Sequence, residues 1–61
     1  MNAQITDIIQ IFNSNFIVAS EPYYNPTKGV MMMDLVKMDT GEKWEIAAHV
    51  IQNEGSVLSA S

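Results

Sequence analysis

A chain of 61 residues with no cysteine and one histidine has no covalent or metal staple to hold it together. Disulfides are impossible, and one His without Cys cannot supply the four N/S ligands of a structural zinc site. Ordering the backbone and side chains costs about 90 kcal/mol at ~1.5 kcal/mol per residue. Surface scaling from the mass gives roughly 3,500 Å² of apolar burial, which returns about 90 kcal/mol. The two terms cancel, so the chain is expected to lean on a partner surface. The sequence supports that expectation, since 48% of it is hydrophobic. It therefore reads as one small domain over 1–61, stabilised as a homodimer, with 59–61 as a frayed tail.

The charge pattern narrows the partners. Seven acids face three lysines and no arginine, for a formal net charge of -4. The lysines are scattered at Lys28, Lys37 and Lys43, so no basic patch is available for phosphates and direct nucleic-acid binding is not expected. A DNA mimic would need a denser row of carboxylates. No apolar run approaches 18 residues, and Met1-Asn2-Ala3-Gln4 lacks the basic start of a signal peptide, so a cytoplasmic, non-membrane protein is expected.

Apolar periodicity predicts the fold class: α+β, an N-terminal amphipathic helix packed on a small antiparallel sheet with a central hairpin at about 30–38 and 42–48. Ile5, Ile8, Ile9 and Phe12 fall at i, i+3, i+4 and i+7, one face of a helix over 3–13. Asn2 would cap it, Asp7 would sit near its positive end, and Asn13-Ser14-Asn15 would stop it. Phe16 to Ala19 reads as a strand, and Glu21 to Gly29 as a loop bracketed by Pro22 and Pro26. In the hairpin, Asp39-Thr40-Gly41 is the turn, with Gly41 left-handed. The register then pairs Met38 with Glu42, Val36 with Trp44, Asp34 with Ile46 and Met32 with Ala48. Residues 47–53 fit either a continued strand or a helical turn ending at Gly55, and Val57-Leu58 a last short strand.

No motif of a phosphate loop, dinucleotide site, metalloprotease or nucleophile elbow is present. His49 stands between apolar neighbours with no evident catalytic partner, so no enzyme and no cofactor are expected. Asp34 is the odd residue: this register puts it on the face of Val36, Trp44 and Ile46. Either a bulge turns it outward, or it is an acid with a partner from elsewhere in the chain.

Two groups of residues are candidates for binding. Tyr23 and Tyr24 sit in the proline-bracketed loop. Met31 and Met33 share one strand face while Met32 takes the other. With the hairpin acids Asp39, Glu42 and Glu45 they form the expected partner-binding set. Ile8, Phe12, Phe16, Met32, Val36, Trp44 and Ile46 form the expected core or dimer set, with Trp44 as the core anchor. In size, acidity and lack of catalytic residues the chain resembles small accessory proteins of bacteriophages and mobile elements, including those that block host defence enzymes. The function expected is a non-catalytic protein-binding module, an inhibitor or accessory protein that occludes a larger target with a basic surface. The alternative is a small-ligand binder with a pocket at a dimer seam, lined by Met31, Met33 and Tyr24.

Overall fold

The computed structural model describes residues 4–60. Among these, six strands form one antiparallel sheet: β1 (Ile8–Ile11), β2 (Ser14–Val18), β3 (Tyr23–Asn25), β4 (Val30–Lys37), β5 (Lys43–Ala47) and β6 (Ser56–Ser59). A single helix, α1 (Ala48–Glu54), lies between β5 and β6.

The expected helix over 3–13 is not formed; none of residues 4–13 is helical. Asn2, its expected cap, lies outside the described residues. The reason is in the isoleucines. Three of the four residues of β1 are β-branched, a composition that favours a pleated strand over a helix. Period 2 also fits: Ile9 and Ile11 point inward and are buried, whereas Ile5 and Phe12 are exposed. Asn13 does not stop a helix. Phe12 and Asn13 form a two-residue turn, both with positive φ (54° and 59°), and Ile11 pairs with Ser14 across it. That is a type I′ hairpin, and Ser14-Asn15 open the second strand.

The segment expected to be a loop contains β3. It pairs with the first half of β4, Tyr23 opposite Met32 and Tyr24 opposite Met31. The second half of the same edge pairs with β2, Val18 opposite Leu35. Between them the chain swings out and is stitched back, the Ala19 N–H donating to the Asp34 carbonyl and the Asp34 N–H to Ser20 Oγ, both at 2.9 Å.

The central hairpin is present, but its register is slipped by one residue. Leu35 pairs with Trp44, Asp34 with Glu45, Met33 with Ile46 and Met32 with Ala47. The turn holds four residues, Met38 to Gly41, closed by the Gly41 N–H on the Lys37 carbonyl at 2.8 Å, with Gly41 at φ 74°. Since strand side chains alternate faces, a slip of one moves every β5 residue to the opposite side of its β4 neighbour. Trp44 and Ile46 thereby join Met33 and Leu35 on the inner face. Asp34 and Val36 are left on the outer face beside Glu45 and Lys43. No bulge is needed to turn Asp34 outward.

Residues 48–54 resolve as helix. Its last turn closes with the Gly55 N–H on the Ile51 carbonyl at 2.8 Å. Gly55 is there for space and not for a left-handed φ: a Cβ on it would lie 2.7 Å from the Ile51 carbonyl oxygen. The helix carries the chain from β5 at one edge of the sheet to β6 at the other, where Val57 pairs with Ile9 and Ser59 with Ile8. Ser59, expected to fray, is thus part of a strand.

The core is the inner face: Ile9, Ile11, Phe16, Val18, Met33, Leu35, Ile46 and Ile51, with Trp44, Ala48, Val50 and Val57 packed against it. In a flat sheet β1 and β5 would be three spacings apart, about 14 Å. The rings of Phe12 and Trp44 are 6.5 Å apart, and those of Phe16 and Trp44 are 5.3 Å apart. The Trp44 side chain thus reaches across β4 to both phenyl rings. Among the described residues no helix is long and apolar enough to cross a membrane.

Candidate functional site

The candidate binding residues do not converge. β4 spans eight residues, so its two ends lie about 23 Å apart at ~3.3 Å per residue. Tyr23, Tyr24 and Met31 are at one end. Asp39 and Glu42 are at the other, in and just after the β4–β5 turn.

At the first end Tyr23 and Tyr24 point to opposite faces. On the outer face the Tyr23 hydroxyl donates to Asp34 Oδ1 at 2.7 Å and also contacts Glu45 Oε2. Asn25 Nδ2 reaches Glu45 Oε2 at 3.4 Å, and Lys28 Nζ lies 3.5 Å from Glu45 Oε1. Asp34 and Glu45 are direct cross-strand partners, an arrangement of like charges that is destabilising unless something is shared between them. The phenol and Lys28 supply that. The hydrogen bond to Glu45, then that to Asp34, pushes the Tyr23 phenol well above its ordinary range. The Tyr23 hydroxyl in turn holds the Glu45 carboxyl below the usual carboxylate range, against the opposing effect of desolvation and with help from Asn25 and Lys28. This cluster is a structural clasp: it fastens β3 to β4 and β5 and is internally satisfied. Met32, between Tyr23 and Ala47 in the register, is buried beneath it but outside the main core. On the other face Tyr24 and Met31 form an open cross-strand pair, 60% and 43% exposed. Met33, expected beside them, is buried in the core. A pocket lined jointly by Met31, Met33 and Tyr24 is therefore not formed within the chain.

The second end has a different character. The β1–β2 and β4–β5 turns lie side by side, tied by the Met38 N–H on the Asn15 carbonyl at 2.9 Å. Phe12 projects from the first turn and Met38 from the second, 50% and 47% exposed. Phe12, a member of the expected core or dimer set, sits on the rim, tilted over Trp44. Phe12 occupies the first position of a type I′ turn, where Asn, Asp or Gly is the usual residue, and a bulky side chain in the left-handed region is an outlier. Trp44 is half-buried. Its indole N–H donates to Glu42 Oε1 at 2.8 Å, and Lys37 Nζ lies 6.0 Å from the ring centroid. Between the turns is a shallow hollow lined by Gln10, Asn13, Ser14, Asn15, Met38 and Asp39.

The remaining candidates are placed as follows. Phe16 and Ile46 are core, while Ile8 and Val36 are half-buried on the outer face, in one register row with Ile17. His49 is exposed on α1. Among the described residues no group of three or more His, Asp or Glu side chains is placed to hold a metal ion. Phe12 and the amides beside it stand outside the expected partner-binding set. The only sequence signal was Asn13, a residue that tolerates positive φ.

Neither a protein-family model nor a curated protein nor a solved structure matches this chain. The function below is therefore supported by the site's own geometry and chemistry.

Proposed function

We propose that the protein is a non-catalytic binding module that docks on a larger protein through the paired turns. Its contact surface combines two exposed apolar side chains, Phe12 and Met38, with the carboxylates of Asp39 and Glu42. One observation carries this reading: Phe12 is held in a backbone conformation that costs a bulky residue about 1–2 kcal/mol, yet its ring is half open to solvent. A strained position that is not rewarded by burial fits a contact made with another molecule. The acidic turn and the net charge of -4 select a partner with a basic surface and speed encounter with it. Binding of this kind blocks whatever that surface otherwise engages, which is how an inhibitor or accessory protein would act from inside the cytoplasm. Self-association is part of the proposal and uses a different surface, the outer-face row of Ile8, Ile17 and Val36.

The test is affinity capture from the native host with four forms of the full chain, the wild type and three variants. A target retained by the wild type and by Tyr24→Ser, and lost with Phe12→Asn and with the Asp39→Asn/Glu42→Gln pair, supports the reading. Capture should also weaken between about 50 and 500 mM salt, as the Debye length shrinks from ~14 to ~4 Å. A target that ignores both turn variants overturns it.

A further inference from the structure

The hollow between the two turns has a chemistry more specific than its rim. Gln10, Asn13 and Asn15 bring three side-chain amides, Ser14 a hydroxyl and Asp39 a carboxylate. Among the described residues none of these five side chains has a hydrogen-bond or ion-pair partner within the chain. The contrast with the other end of β4 is sharp. There Tyr23, Asn25, Lys28, Asp34 and Glu45 are bonded to one another. The molecule has one polar cluster turned in on itself and one turned outward around a concavity.

The geometry points to an extended peptide segment carrying a lysine or arginine as the occupant of this hollow. The inference rests on the proposed protein-binding role and deepens it. Each amide side chain has both a donor and an acceptor, as each peptide unit does. Gln10 and Asn15 are direct partners across β1 and β2, so their amides stand side by side on one face. They can each meet one N–H or C=O of a strand-like segment whose groups recur about every 3.3 Å. Asp39 is the one charge in the hollow, and a guanidinium or ammonium is what a lone carboxylate pairs with. Met38 lines the opening and would cover an apolar neighbour of the cation. Nucleic acid is disfavoured by the same carboxylate. A neutral sugar would suit the amides but would leave Asp39 and the net charge of -4 unused.

The experiment uses the ¹⁵N-labelled full chain and two unstructured heptapeptides, Gly-Ser-Leu-Lys-Leu-Ser-Gly and the same sequence with Glu for Lys. The lysine peptide should shift the backbone and side-chain amide resonances of Gln10, Asn13 and Asn15. The glutamate peptide should leave them in place at the same concentration. Asp39→Asn, a change at an exposed turn whose fold the same spectra verify, should weaken the lysine peptide about tenfold. Three results overturn the inference: no shift up to millimolar lysine peptide, equal shifts with both peptides, or shifts centred on Tyr24 and Met31. Shifts of the hollow with maltose that match those of the lysine peptide overturn it as well. If capture of a folded target still depends on Phe12 while no peptide binds, the inference falls and the binding role stands. If the lysine peptide shifts the hollow while capture ignores Phe12, the docking surface is wrong and the hollow stands.

Discussion

The residue that separates fold from function here is Phe12. Replacing it by Asn removes the left-handed penalty of about 1–2 kcal/mol and loses a ring contact worth about 0.5–1.5 kcal/mol. Phe12→Asn is therefore expected to melt at or slightly above the wild-type temperature in thermal denaturation, while losing the captured target. A Tm lowered by several degrees would mean that the ring serves the fold. Tyr23 is the opposite case, a residue whose work is internal. Its phenol is raised, so its contribution to stability is complete below about pH 10, the ordinary tyrosine value, and is lost as pH rises through the higher folded one. Glu45 is lowered, so its contribution is complete above about pH 4.3 and is lost as pH falls through the lower folded value. In a Tyr24→Phe background, absorbance at 295 nm should show no phenolate until well above pH 10. Tyr23→Phe should remove the part of the acid-side stability loss that comes from Glu45, measured by urea unfolding at pH 3 and pH 6. Ordinary ionisation near pH 10 would show that the clasp is not formed in solution.

At the scale of elements, β4 is the organising strand. It is paired along both edges, and its two middle methionines are buried, Met32 at 4% and Met33 at 3% exposure, while Met31 is at 43%. Dilute peroxide should therefore convert Met31 and Met38 to sulfoxides well before Met32 and Met33, read by mass spectrometry of proteolytic fragments. Leu35→Ala, at the centre of this strand with 0% exposure, should cost about 2–5 kcal/mol in urea unfolding. Gly55→Ala, which places a methyl against the Ile51 carbonyl, should cost about 1–3 kcal/mol. The hairpin around β4 was legible in the sequence because a β-branched and methionine run, a Gly turn and an alternating return strand all agree. The first strand was not. Ile5, Ile8, Ile9 and Phe12 fit a 3.6 period while Ile9 and Ile11 fit a period of 2, and only the pairing with β2 and β6 decides between them. The Tyr23 clasp was hidden for a related reason. It depends on Asp34 facing Glu45, and one residue more or less in the β4–β5 turn decides that, a quantity that turn composition does not specify.

For the whole molecule, the total accessible surface of 3858 Å² is close to the ~4,000 Å² expected of a folded monomer of this mass. The chain thus buries the usual share of its surface without help, and the expected need for a partner does not follow from area alone. What remains open is the outer face, where Ile8, Ile17 and Val36 form a row with no layer above it among the described residues. The self-association we propose through that row gives twice 6.8 kDa by light scattering at low micromolar concentration, and Ile17→Lys returns the mass to 6.8 kDa. A wild-type mass of 6.8 kDa at that concentration would remove self-association from the proposal and leave the paired turns as the molecule's one working surface.

The pairing of Ile8 with Ser59 joins early and late parts of the chain. On the ribosome, β1 is made first and waits for its outer neighbour until residue 59 has cleared the exit tunnel. A nascent chain halted at residue 55 would already hold β1 to β5 and the helix, but one flank of β1 would still be bare and Ile9 would lack Val57. Residues 56–59 therefore act as the latch of the sheet, which closes only after synthesis has passed them.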